Sequence, residues 1–159
     1  MNRIHFFVVM IAFVCTASCS DDNTSSTDGG TDTDTSCPEG EYSGDFTIGT
    51  QSDVATLAGY TSISGDLEIE CLSCTDLSEL ICLTSVGGNL FLWDNDALTA
   101  LAGLNALTSV GNNLTIFDNY ALPDCEACDL LDQLTSGPTL IDVHENLDDS
   151  CTPVPANCP

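Results

Sequence analysis

Residues 83–95 read LTSVGGNLFLWDN, and residues 107–119 repeat the pattern as LTSVGNNLTIFDN. Shorter copies occur near residues 45, 66 and 141. The first apolar residue of each copy falls at position 46, 67, 90, 114 or 141, so the steps are 21, 23, 24 and 27 residues. Self-similarity at this period predicts a solenoid with one short strand in each repeat.

Within each copy, inward apolar residues alternate with outward residues, as in a strand that buries one face. The predicted inward pairs are Phe46/Ile48, Leu67/Ile69, Leu90/Leu92, Leu114/Ile116 and Ile141/Val143. The predicted outward pairs are Thr47/Gly49, Glu68/Glu70, Phe91/Trp93, Thr115/Phe117 and Asp142/His144. Neighbouring strands lie about 4.8 Å apart, so we expect Trp93 beside Phe117. We also expect a structural ladder of asparagines, Asn95, Asn119 and Asn146, at the strand ends.

The second half of each repeat carries leucines three residues apart, as in Leu77, Leu80 and Leu83. This spacing predicts a 3₁₀-like or irregular coil with one apolar side turned inward, since an α-helix would alternate steps of three and four.

The run 83–95 resembles leucine-rich repeats and, more closely, the receptor L domain, whose repeat is L-x-x-I-x-G-x-L-x-I-x-x-N. The resemblance covers about residues 43–151. It implies a ligand-binding, right-handed β-helix. We therefore expect residues 37–159 to form a mainly β, disulfide-stapled, receptor L-domain-like β-helix or solenoid of about five short turns.

The N-terminus indicates export. Residues 1–18 combine Arg3, a short apolar run and small residues, as a signal peptide does. Ala17-Ser18-Cys19 resembles a bacterial lipobox, which implies that Cys19 is lipidated and holds the protein on the cell envelope, with the outer membrane favoured. The alternative is cleavage near Ala17 and release as a secreted protein.

Residues 19–36 are predicted to be a disordered acidic tether of Asp, Thr, Ser and Gly. A calcium loop there is less favoured because the spacing is not that of an EF-hand. Lipobox, tether and repeat domain together resemble surface lipoproteins of myxobacteria and their relatives.

The excess of acidic over basic residues limits the classes of partner that the protein can bind. The chain has 25 acidic residues and one basic residue, and its net charge is −24. Because that basic residue is Arg3, the predicted domain cannot neutralise phosphates. This argues against nucleic acid as a partner. The predicted partners are the membrane, through the lipid anchor, and a glycan or protein ligand.

Eight cysteines follow Cys19, and an even count in an exported protein favours disulfides. The candidates are Cys37, Cys71, Cys74, Cys82, Cys125, Cys128, Cys151 and Cys158. Local pairs are plausible: Cys71 or Cys74 with Cys82, Cys125 with Cys128, and Cys151 with Cys158. The two C-x-x-C spacings also occur in zinc sites, but their separation and an oxidising compartment favour disulfides.

We predict no enzyme, cofactor or metal. Beyond the predicted signal, the one histidine is His144, and no nucleophile motif accompanies it.

The candidate ligand-binding residues are Phe91, Trp93 and Phe117, with Thr115, Glu70 and His144 beside them. The predicted function is a surface-anchored lipoprotein with a binding, adhesion or scaffold domain. The alternatives are a structural envelope protein without a specific ligand and, less favoured, a secreted carbohydrate-active enzyme.

Overall fold

The computed structural model describes residues 37 and 40–147, and these belong to one compact unit. Within them, nine short strands form two parallel sheets. The four-stranded sheet has the order β1 (Glu41–Tyr42), β3 (Ser62–Ile63), β5 (Ser85–Val86), β7 (Ser109–Val110). The five-stranded sheet has the order β2 (Phe46–Ile48), β4 (Leu67–Ile69), β6 (Leu90–Trp93), β8 (Asn113–Phe117), β9 (Leu140–His144). The predicted signal peptide, the tether and the cysteines Cys151 and Cys158 lie outside the described residues.

One helical segment follows each of β2, β4, β6 and β8; the first three lead to β3, β5 and β7 of the four-stranded sheet, and the last leads directly to β9. The helical segments are α1 (Gln51–Thr56), two 3₁₀ segments (Ser78–Cys82 and Ala102–Leu104) and α2 (Asp124–Gln133). Parallel strands cannot be joined by a tight hairpin, so each pair needs a crossover of this kind. The 3₁₀ segments are the stretches in which leucines recur every three residues, as the sequence predicts.

The predicted mainly β, right-handed β-helix is wrong. The structure consists of two parallel sheets with helices between their strands, which is an arrangement of the α/β type. The physical reason is clearest in α2, where Ala127, Cys128, Leu130 and Leu131 are buried. These positions share one face of an α-helix, so this connection is stabilised by its own apolar side. The helical segments together hold nearly as many residues as the short strands.

The predicted strand register is nevertheless observed. Phe46 pairs with Leu67, Leu67 with Leu90, Leu90 with Leu114, and Leu114 with Ile141. The three central anchors are fully buried, whereas Ile141 is 38% exposed. Among the described strands β9 pairs only with β8, so its inward residues are covered from one side alone.

Candidate ligand-binding site

The outward residues of β4, β6 and β8 form a groove on the five-stranded sheet. Its lining consists of Glu68, Phe91, Trp93, Thr115 and Phe117, and its volume is about 280 Å³. We call these five residues the aromatic groove. All five are half-buried, so the rings are partly covered by one another and partly open to solvent.

The strand register creates the groove. Glu68, Phe91 and Thr115 are register partners and form one row across the sheet. Trp93 and Phe117 form the next outward row, two residues further along their strands. Because side chains two residues apart lie on the same face, the groove lies between these two parallel rows.

The second row is a column of flat rings. The rings of Trp93 and Phe117 are stacked, with centroids 5.8 Å apart and planes 17° apart. The imidazole of His144 continues the column, 5.4 Å from Phe117 with planes 11° apart. Aromatic pairs at these separations attract each other beyond their buried area, so the column holds the groove wall in one conformation.

Glu68 places a carboxylate in the groove. The indole Nε1 of Trp93 donates a hydrogen bond to Glu68 Oε1 at 3.2 Å. The hydroxyl of Thr47 donates to Glu68 Oε2 at 3.3 Å. Both carboxylate oxygens are therefore held by neutral donors. No lysine or arginine follows Arg3, and the imidazole of His144 contacts Asp142 instead, with Nδ1 3.0 Å from Oδ1.

The ends of the strands are locked beside the ring column. In β6, β8 and β9, the residue that follows the ring has a positive φ: Asp94 at 53°, Asp118 at 54° and Glu145 at 56°. The asparagine that follows each of them belongs to the predicted ladder, in which Asn95 Nδ2 donates to Asn119 Oδ1 and Asn119 Nδ2 to Asn146 Oδ1. These hydrogen bonds tie the ends of neighbouring strands together beside the ring column.

The structure brings together four of the six residues predicted to bind ligand: Phe91, Trp93, Thr115 and Phe117. His144 stacks on the column but does not line the groove. Glu70 is exposed, lies one residue past β4, and is not part of the lining either.

Sequence reasoning missed Glu68 as a groove residue. The signal was present, because the period-two alignment places Glu68 outward and level with Phe91. Glu68 and Glu70 face the same side, and the sequence does not show which one the long indole of Trp93 reaches.

The observed disulfide pairing differs in part from the predicted local pairs. Cys37 is bonded to Cys82, and Cys71 is bonded to Cys74, so the predicted pairing of Cys71 or Cys74 with Cys82 is wrong. Cys125 and Cys128 are also disulfide-bonded. In the part of the chain that the structure describes, no group of three or more His, Cys, Asp or Glu side chains could hold a metal ion.

No helix among the described residues is long and apolar enough to cross a membrane. No protein family, curated protein or solved structure matches this chain. The resemblance to leucine-rich repeats and receptor L domains stays a prediction.

Proposed function

We propose that this chain is a lipid-anchored protein of the cell envelope that binds a ligand in the aromatic groove. The observation that supports binding is the stacked pair Trp93 and Phe117 facing Phe91 across an open groove. These partly open rings form a contiguous apolar surface, and such a surface commonly marks an interaction site. Glycans and protein surfaces both pack against such rings.

The proposed location rests on the N-terminal sequence. The short apolar run and Ala17-Ser18-Cys19 support lipidation at Cys19, and more than one acyl chain would give stable anchoring. The test is Cys19→Ser, followed by cell fractionation and metabolic labelling with a palmitate analogue. We expect the label to disappear and the protein to leave the membrane fraction. Retention of the variant in the membrane fraction, together with absence of label on the wild-type chain, would overturn the anchoring proposal.

The binding proposal is tested with the purified chain on arrays of glycans and of proteins. Phe117→Ala opens one wall of the groove and is expected to abolish the array signal of the wild-type protein. Tyr120→Ala is the matched control, because Tyr120 is a 62% exposed aromatic residue outside the groove lining. Equal loss of signal in both variants, or unchanged binding by Phe117→Ala, would contradict the groove as the binding site. Circular dichroism melting curves show whether either variant has lost its fold.

A further inference from the structure

The chemistry of the groove points to one class of ligand, and this step rests on the function proposed above. Three of the five lining residues are aromatic, and the polar ones are Glu68 and Thr115. The faces of aromatic rings carry negative potential and attract organic cations. We propose that the aromatic groove binds a small organic cation that carries a quaternary ammonium group.

The charge of Glu68 favours a cation over a neutral sugar. A ligand that fills the groove removes water from the carboxylate, which is costly unless an opposite charge compensates. The chain itself offers no lysine or arginine beyond Arg3 to supply that charge. The net charge of −24 also raises the local concentration of cations at the surface, whereas a neutral sugar gains nothing from this field.

Hydrogen bonding favours a quaternary ammonium over a primary one. A primary ammonium has three N–H donors and must replace strong hydration when it leaves water. The groove has few acceptors to offer, because its polar lining is limited to Thr115 and Glu68, and each carboxylate oxygen of Glu68 already accepts one bond, from Trp93 or from Thr47. A quaternary ammonium has no N–H donor, so the rings and the charge of Glu68 satisfy it completely. The same shortage of polar partners disfavours a sugar ring with many hydroxyls.

Trp93 makes the experiment direct. It is the one tryptophan of the chain, and it lines the groove. Its fluorescence therefore reports on the groove alone. The purified full chain is titrated with tetramethylammonium chloride and with choline chloride. Parallel titrations use methylammonium chloride, sodium chloride and 3,3-dimethylbutan-1-ol, the neutral carbon analogue of choline.

We expect saturable changes with tetramethylammonium and choline, and about tenfold weaker binding of the neutral analogue and of methylammonium. Glu68→Gln keeps an acceptor for the indole but removes the charge, and is expected to weaken choline binding about tenfold. Glu79→Gln is the matched control, since Glu79 is an exposed acid in the 3₁₀ segment Ser78–Cys82 and should leave binding unchanged.

The outcomes separate this inference from the proposed function. If choline gives no saturable signal while the wild-type chain still binds a glycan or protein through Phe117, the cation inference falls and the binding function stands. If neither choline nor any array ligand binds, both fall. If the neutral analogue binds as tightly as choline, or Glu68→Gln binds choline as tightly as wild type, the groove recognises shape without charge and the inference is overturned.

Discussion

At the scale of single residues, the asparagine ladder shows how one side chain can hold several repeats together. Asn119 is fully buried. Its Oδ1 accepts hydrogen bonds from the backbone N–H of Asn95 at 3.1 Å and from the side chain of Asn95 at 2.9 Å. Its Nδ2 donates to the carbonyl of Phe117 at 2.9 Å. Buried polar groups must find partners, and here they find them in the repeats on either side.

We expect Asn119→Ala to lower the free energy of unfolding by about 2 kcal/mol or more, because it leaves several buried donors and acceptors unpaired. The matched control is Asn112→Ala, since Asn112 is exposed and belongs to the same repeat. It should change stability by no more than about 0.5 kcal/mol. Urea unfolding curves give both values. Similar costs for the two variants would contradict a structural role for the ladder.

The residue scale also shows what could be predicted from sequence. The anchors, the ladder and the contact of Trp93 with Phe117 were predictable, because each depends on a period that repeats along the chain. The Cys37–Cys82 disulfide was not predictable, because its cysteines are 45 residues apart and the repeat pattern does not relate their positions. Glu68 was missed for a similar reason: a contact between rows depends on side-chain reach, which a repeat pattern does not contain.

At the scale of elements, the connections between strands decided the fold class. Helix α2 differs from the predicted connections: leucines three residues apart indicate coil or 3₁₀ structure, whereas Ala127, Cys128, Leu130 and Leu131 have the mixed spacing of an α-helix. Asp124 and Glu126 also favour its first turn through the helix dipole.

The two connections that contain the 3₁₀ segments pack closely against each other. A Cβ atom added to Gly103, in the 3₁₀ segment Ala102–Leu104, would collide with the backbone carbonyl of Leu77. We expect Gly103→Ala to cost about 1–3 kcal/mol, as overpacking does. Gly137→Ala is the matched control, because a Cβ there meets nothing within 4 Å. It should be neutral or stabilising by up to about 1 kcal/mol. A melting temperature for Gly103→Ala equal to that of the control would contradict this close packing.

Helix α1 carries a pH-dependent cap. Oδ2 of Asp53 accepts hydrogen bonds from the Thr50 hydroxyl at 2.8 Å, from the Thr50 backbone at 2.8 Å and from the Gly49 backbone at 3.1 Å. The Thr50 hydroxyl is the main cause that holds the pKa of Asp53 below its ordinary value, against a smaller opposing effect of desolvation. A lowered pKa in the folded state means that the ionised form stabilises the fold.

This stabilisation is complete above the unfolded pKa of an aspartate, about pH 4, and is lost as the pH falls through the lower folded value. We therefore expect Asp53→Ala to be less stable than wild type at pH 7. The gap should persist down to about pH 5 and close on further acidification. Ser52→Ala, at the neighbouring exposed position, should differ from wild type by the same amount at every pH. A gap for Asp53→Ala that widens below pH 4 would show that the sign is wrong.

At the scale of the whole molecule, the charge is almost entirely of one sign. The net charge is −24, since 25 acidic residues face a single arginine, Arg3. Like charges that are brought together by folding repel one another, so the folded state is destabilised relative to a more expanded chain. The buried leucines and the asparagine ladder stabilise the fold against this repulsion. The same field attracts cations, which links the stability of the protein to the ligand class proposed for the groove.

This repulsion predicts an unusual salt response. The Debye length falls from about 30 Å at 0.01 M salt to about 10 Å at 0.1 M, so repulsion between distant carboxylates is screened over that range. We expect the melting temperature to rise between these concentrations of sodium chloride at pH 7. Glu41→Lys, an exposed change in β1 that removes two negative charge units, should raise the melting temperature at 0.01 M and much less at 0.1 M. Glu41→Gln should produce about half of that rise. A melting temperature that falls with salt, or a Glu41→Lys effect that is equal at both concentrations, would mean that long-range repulsion does not limit this fold.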